Sequence, residues 1–221
     1  MGAVVLASGR GSNLAAIAAA IARGELALSL RRVLSDHSDA PALGRARELG
    51  IDAQAVPRNA YPDRDHYERA LVERIDEVAP GVVVLAGYMR ILSPRFVARY
   101  AGRVLNIHPS LLPEFPGLDT HARALAAGVR EHGASVHFVT DELDGGPVIA
   151  RTRVPVRDGD TPESLAERVL TAEHRLYPAV LNWYATGRLL WRDGHAVLDG
   201  RPLLAPVEFV AQPAGATGTD R

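Results

Sequence analysis

AVVLASGRGSNLAAIAAAIARG, residues 3–24, passes from an apolar run through a glycine-rich turn into a helical pattern. Residues 3–7, AVVLA, have no polar interruption, as a strand covered on both faces requires. The small and apolar residues of LAAIAAAIARG predict a helix closed by Gly24. Strand, glycine loop and helix together form the opening unit of an α/β sheet, and the segments that follow repeat it.

LRRVLSD reads as a second strand and APALGRAREL as a second helix, with Asp39 placed to cap it and Gly50 to stop it. DAQAVP is a third strand. DRDHYERALVERIDEVA sets Tyr67, Leu71, Ile75 and Val78 near helical spacing and predicts a long amphipathic helix. GVVVLAG, SPRFVARY and GRVLNIH give a fourth strand, a helix opened by Ser93-Pro94, and a fifth strand. This alternation predicts an open, mainly parallel twisted sheet with right-handed crossovers and helices on both faces, a Rossmann-like arrangement.

After the fifth strand the rhythm changes. THARALAAG is a helix, and GASVHFVTD and GPVIARTRVPV are expected to pair antiparallel across ELDGG. A long helix starts at Thr161-Pro162, with Pro178 positioned to kink it. LLWRDGHAVLDG predicts a terminal hairpin turning at Asp193-Gly194. Residues 1–210 are expected to form one domain, and 211–221, rich in Gly, Ala, Thr and Pro, a flexible tail.

Composition removes several chemistries. The chain has no cysteine, and all 25 of its basic residues are arginine. Disulfides, thiolate metal sites and a lysine nucleophile, Schiff base or P-loop lysine are therefore excluded. The net charge of −1 gives no basic excess, so neither nucleic acid nor a membrane is an expected partner. The start shows no secretory leader and there is no run of about 18 apolar residues, so a cytoplasmic protein is expected.

In an open parallel sheet, ligands bind outside the carboxyl ends of the strands. The loops after the first, fourth and fifth strands, GRGSN, AGYMRIL and NIHPSLLP, open onto that one edge. Gly11, Ser12 and Asn13, at a helix start, suit an anion such as phosphate. A dinucleotide reading would use Asp36 as the ribose acid, but Leu14 stands where the fingerprint needs Gly or Ala; a plain tight turn is the third alternative.

Asn106 and His108 lie two apart and share a strand face, just ahead of a loop stiffened by Pro109, Pro113 and Pro116. An amide can donate to an oxyanion and an imidazole can move protons; the alternative is a pair that satisfies strand-end groups. Asp144, in DELDGG, is a turn residue that would orient His108 if the hairpin brought it there. Ser135 and His137 share another strand face, and a structural role is expected for His137. Tyr88 to Leu92 suits a flat heteroaromatic ligand or a lid over the core. No metal-ligand cluster is evident, and His66, His121 and His132 read as scattered surface or packing residues.

GRGSN, NIHPSLLPEFPGLDTH and HGASVHFVTDELDGGPVI together resemble the formyltransferase family, and within it the branch acting on glycinamide ribonucleotide in de novo purine biosynthesis. The likeness runs over roughly residues 3–200. It implies direct transfer of the formyl group from the cosubstrate 10-formyltetrahydrofolate to the substrate amine, with no metal. Asn106, His108 and Asp144 would be catalytic. Gly11, Ser12 and Asn13 would bind the substrate phosphate, and Glu173 its ribose side. Arg64, Met89, Arg90, Ile91, Leu92 and Leu143 would surround the folate. Ser135, His137 and Pro113 would support the site, Pro113 after a cis peptide bond. Asp119 departs from the resemblance, where related bacterial sequences often carry His.

The resemblance leaves a monomer or a homodimer open. A methionyl-tRNA formyltransferase would need an added RNA-binding domain. A formyltetrahydrofolate hydrolase would need a regulatory domain ahead of a strand that here starts at residue 3. Outside the family, a nicotinamide-dependent oxidoreductase or a non-catalytic nucleotide-binding module are the rivals.

Overall fold

In the computed structural model, which describes residues 1–210, eleven strands and six α-helices follow in turn, with one turn of 3-10 helix at Arg58–Ala60. They run β1 (Gly2–Leu6), α1 (Ser12–Ala22), β2 (Ser29–Ser35), α2 (Pro41–Glu48), β3 (Asp52–Ala55), α3 (Arg64–Asp76), β4 (Val82–Leu85), α4 (Pro94–Arg99) and β5 (Val104–His108). Then come α5 (Thr120–Ala126), β6 (Glu131–Phe138), β7 (Val148–Pro155), α6 (Pro162–Ala185), β8 (Leu189–Arg192), β9 (His195–Leu198), β10 (Arg201–Pro202) and β11 (Val207–Glu208). The tail expected from residue 211 lies outside the described residues.

The main sheet has the order β11-β7-β6-β5-β4-β1-β2-β3, and β10-β9-β8 form a separate sheet. β1 pairs parallel with β2 and β4, β2 with β3, and β4 with β5. β6 pairs antiparallel with both β5 and β7, as the alternating sequences on either side of ELDGG predict. Strand order reverses between β1 and β4, the switch point outside whose carboxyl ends open α/β sheets bind their ligands.

Side-chain alternation splits the core into two layers. Ala3 and Val5 of β1, with Val82 and Val84 of β4, pack under Leu14, Ile17, Leu43 and the α6 residues Leu165, Val169, Leu176 and Leu181. Val4, Leu6, Val83 and Leu85 face the other way, against Tyr67, Leu71 and Ile75 of α3 and Phe96 of α4. Each fully buried Val, Leu, Ile or Phe side chain among them contributes about 1.5–3 kcal/mol. On β5, Leu105 and Ile107 enter the first layer and Val104 the second. Asn106 and His108 therefore project from the face of Val104, past the end of the α3–α4 layer.

Local signals hold with some corrections. Ser93 caps α4 through the Phe96 amide, and Thr161 with Ser164 forms a reciprocal capping box on α6. Asp39 does not cap α2: Ala40 holds that position without a side-chain bond, and Pro41 supplies the first turn. α6 continues unbroken through Pro178. The short strands β10 and β11 were not expected; β11 joins the sheet edge through β7, where Arg151 and Arg153 pair with Glu208. Among the described residues no helix is long and apolar enough to cross a membrane.

Candidate active site

The antiparallel register of β5 and β6 sets Asn106 opposite His137 and His108 opposite Ser135. Two polar pairs, each spaced by two along its own strand, become one four-residue patch. Inside it the hydrogen bonds fix atom roles. His137 Nδ1 donates to the Phe138 carbonyl at 2.9 Å, so its Nε2 is an acceptor. Asn106 Nδ2 lies 3.1 Å from that Nε2 and must be the donor. Burial lowers the His137 pKa, the direction that favours the neutral ring this bond requires. One amide hydrogen of Asn106 is thus spent on His137 and the other remains for a ligand.

His108 Nε2 donates to the Phe115 carbonyl at 3.0 Å, while Nδ1 faces Asp144 Oδ2 at 3.5 Å. Asp144 Oδ1 is 3.8 Å from His137 Nε2. Oδ2 also accepts from the Gly117 amide at 2.9 Å, which ties the β6–β7 turn to the loop after β5. The carbonyl and the carboxylate are two acceptors placed for the two N–H groups of an imidazolium. Gly146 lets the turn close this tightly: a Cβ there would lie 1.9 Å from the Phe138 carbonyl oxygen.

The proline loop is held from beneath. Fully buried Ser135 accepts from the Leu112 amide at 3.0 Å and donates to the Ser110 carbonyl at 2.7 Å. Ser110 Oγ in turn donates to the Glu114 carbonyl at 2.6 Å. The Leu112–Pro113 bond is cis.

Beyond β1, Gly11 precedes α1 with φ 71°, and a Cβ there would lie 2.9 Å from Ala42. Glycine is required both by the dihedral and by the closeness of α2. Ser12 and Asn13 open α1. Asn13 Nδ2 donates to Glu173 Oε2 at 2.7 Å, so the start of α1 and the α6 carboxyl are one buried unit. Burial pushes Glu173 up to about 7, against the lowering effect of the Asn13 bond. The Asn13 oxygen has no partner among the described residues.

Residues Met89 to Leu92 form a strap beyond β4. Met89 and Ile91 are exposed, as is Leu143 beside Asp144, while Leu92 is buried. Arg64 Nη2 donates to the Ile91 carbonyl at 2.7 Å. Arg90 turns inward: its Nε meets Asp36 Oδ2 at 2.6 Å. Oδ2 of Asp36 is engaged by this ion pair and Oδ1 is buried without a partner among the described residues, so the carboxylate is turned to Arg90 and is not presented to a ribose as the dinucleotide reading needs. Sequence alone gave no sign of the Asp36–Arg90 pair, nor of the Phe115 and Gly117 main-chain contacts, because loop closure creates them.

The histidines read as scattered need one correction. His66 is exposed and pairs with Asp63 at the start of α3. His121 and His132, however, pack edge to face with ring centroids 5.2 Å apart, and His132 also meets Phe115 at 5.9 Å. Burial lowers both, His132 to about 4, and they pack beside the loop after β5 through Phe115. Among the described residues no group of three His, Asp or Glu side chains could hold a metal. Asp119 is exposed, precedes α5 with φ 55° and makes no capping bond.

Comparison with known proteins bears on this geometry. The formyl transferase family model matches residues 1–181. The phosphoribosylglycinamide formyltransferase of Escherichia coli is 54% identical over 203 residues, 92% of this chain and 96% of the relative. The structure of the phosphoribosylglycinamide formyltransferase from Coxiella burnetii superposes with a TM-score of 0.89 at 48% identity, covering 94% of this chain and 99% of that one. A formyltetrahydrofolate deformylase from Pseudomonas syringae is more distant, at 30% identity and a TM-score of 0.83, covering 89% of this chain and 65% of that one. The chain belongs to the formyl transferase family, in its phosphoribosylglycinamide formyltransferase branch.

Proposed function

We propose that this chain transfers the formyl group of 10-formyltetrahydrofolate to the amine of glycinamide ribonucleotide, as a cytoplasmic enzyme of purine biosynthesis. The observation that carries the reading is the convergence of Asn106, His108 and Asp144, held through His137, Phe115 and Gly117. Gly11, Ser12 and Asn13 take the substrate phosphate and Glu173 its ribose side. The exposed Met89, Ile91 and Leu143 offer apolar cover to the folate, with Arg64 at its polar end.

The amine nitrogen attacks the formyl carbon, and negative charge develops on the formyl oxygen. The free Nδ2 hydrogen of Asn106 and the adjacent His108 imidazole stabilise that charge. Asp144 orients the imidazole. The new C–N bond forms, the bond from carbon to the folate nitrogen breaks, and the proton lost by the amine ends on that departing nitrogen. No covalent adduct with the protein is needed, which fits a chain without cysteine or lysine.

The test is a stoichiometry. Purified protein given both compounds should form tetrahydrofolate and formylated ribonucleotide in equal amounts, and release neither folate nor formate when the amine is omitted. Release of formate without the amine would replace transfer by hydrolysis.

A further inference from the structure

The strap over Met89–Leu92 has no ladder or helix to hold it. It is instead staked residue by residue. The Met89 amide donates to Ser8 Oγ at 2.9 Å, the Arg90 side chain to Asp36 Oδ2 at 2.6 Å, and the Ile91 carbonyl accepts from Arg64 at 2.7 Å. Glu68 completes the line: it accepts from Arg64 Nε at 3.0 Å and from the Ser93 amide at 2.9 Å.

The three stakes differ in kind. Ser8 and Arg64 reach main-chain atoms and sit near the surface. Asp36 is the buried one, with its side chain only 1% exposed at the end of β2. Arg90 lies over the Tyr67 ring at 5.8 Å, and the Tyr67 hydroxyl pairs with that of Tyr88 at the base of the strap. The guanidinium is therefore held on Asp36 and Tyr67, with the Arg90 side chain 35% exposed, while Met89 and Ile91 on either side are more exposed. A charge pair between a buried carboxylate and a planar guanidinium is directional, so it sets the rotation of the strap as well as its height.

We infer that Asp36 is a positioning residue for the formyl donor: through Arg90 it fixes the strap in the orientation that presents Met89 and Ile91 to the folate. This rests on the reading that the strap borders the donor site. Asp36 touches neither substrate. Its loss should therefore act on the donor far more than on the ribonucleotide, because Asn13 and Glu173 hold each other without Asp36 or Arg90, and Ser8 alone links the strap to the loop before α1 by a side chain.

The experiment is steady-state kinetics on the wild type, Asp36→Asn, Arg90→Gln and the double variant, each checked by circular dichroism and thermal melting. KM for 10-formyltetrahydrofolate should rise at least tenfold in each single variant, and the double variant should be no worse than the weaker single. KM for glycinamide ribonucleotide should stay within twofold, with kcat at saturating folate within about threefold. Where a variant is poorly folded, direct titration of its surviving folded fraction with each substrate gives the same split. Folate KM within twofold of wild type, equal rises for both substrates, or additive effects in the double variant would overturn the positioning role. A wild type that neither binds reduced folate nor transfers a formyl group would overturn the functional reading itself, and the donor assignment with it.

Discussion

The Asn106 amide can serve an oxyanion only while His137 stays neutral, because a protonated Nε2 would meet the amide hydrogens donor to donor. His137→Leu should therefore lower kcat more than tenfold with little change in either KM, and leave a buried donor unpaired at a cost of about 1–3 kcal/mol. Kinetics and denaturant melts together check this; a stability loss with kcat intact would contradict the positioning argument. Asp144→Asn keeps the shape of the carboxylate but not its charge beside His108, and should depress kcat at least a hundredfold in a folded protein. Glu173 makes a pH prediction. Its folded pKa, about 7, lies above the ordinary 4.5 because of burial. Stability from the neutral acid is thus complete below about pH 4.5 and is lost as pH rises through 7. Glu173→Gln keeps a neutral group there, so its stability relative to wild type should grow by up to about 3 kcal/mol between pH 4 and 8. Parallel pH profiles in chemical denaturation would contradict the assignment.

Among the elements, the β5–β6 pair and the proline loop decide the site. Asn106 and His108 were legible as a pair because period two is visible in one strand, and so were Ser135 and His137. That the two pairs face each other was not legible, since register is fixed by packing rather than by either strand alone. Asp144 shows the same limit: its turn chemistry was plain, but its distance from His108 depends on Gly146 and on the main chain of residues 115–117. Asp36 was misleading, because a carboxylate after the second strand looks alike whether it awaits a ribose or an arginine from another loop. The Ser135 hydroxyl serves the Leu112 amide and the Ser110 carbonyl at once. Ser135→Ala should cost about 1–3 kcal/mol and slow turnover by loosening the loop behind His108, as melts and kinetics would show. A variant as stable and as active as wild type would mean that the loop is held by other contacts.

Across the whole molecule, the strand order brings the loops after β1, β4 and β5 to one edge, and this was legible from chain direction and the alternation of strand and helix. The edge strands β10 and β11 were not, because two-residue strands carry no period. α6 unites the assembly. The buried Tyr177 hydroxyl lies 2.9 Å from the Leu85 carbonyl and 2.8 Å from the Leu105 carbonyl, so one side chain spans the strands leading to the strap and to Asn106. Tyr177→Phe should lower Tm by roughly 2–8 °C, measured by calorimetry, whereas an unchanged Tm would remove α6 from that role. The central claim is that an amide and a carboxylate-backed imidazole stabilise charge on the formyl oxygen. Its most direct test is kcat for formyl transfer by Asn106→Ala, shown to be folded by circular dichroism. Loss of that donor predicts a fall of about 10²–10³-fold. A kcat within threefold of wild type would contradict the account.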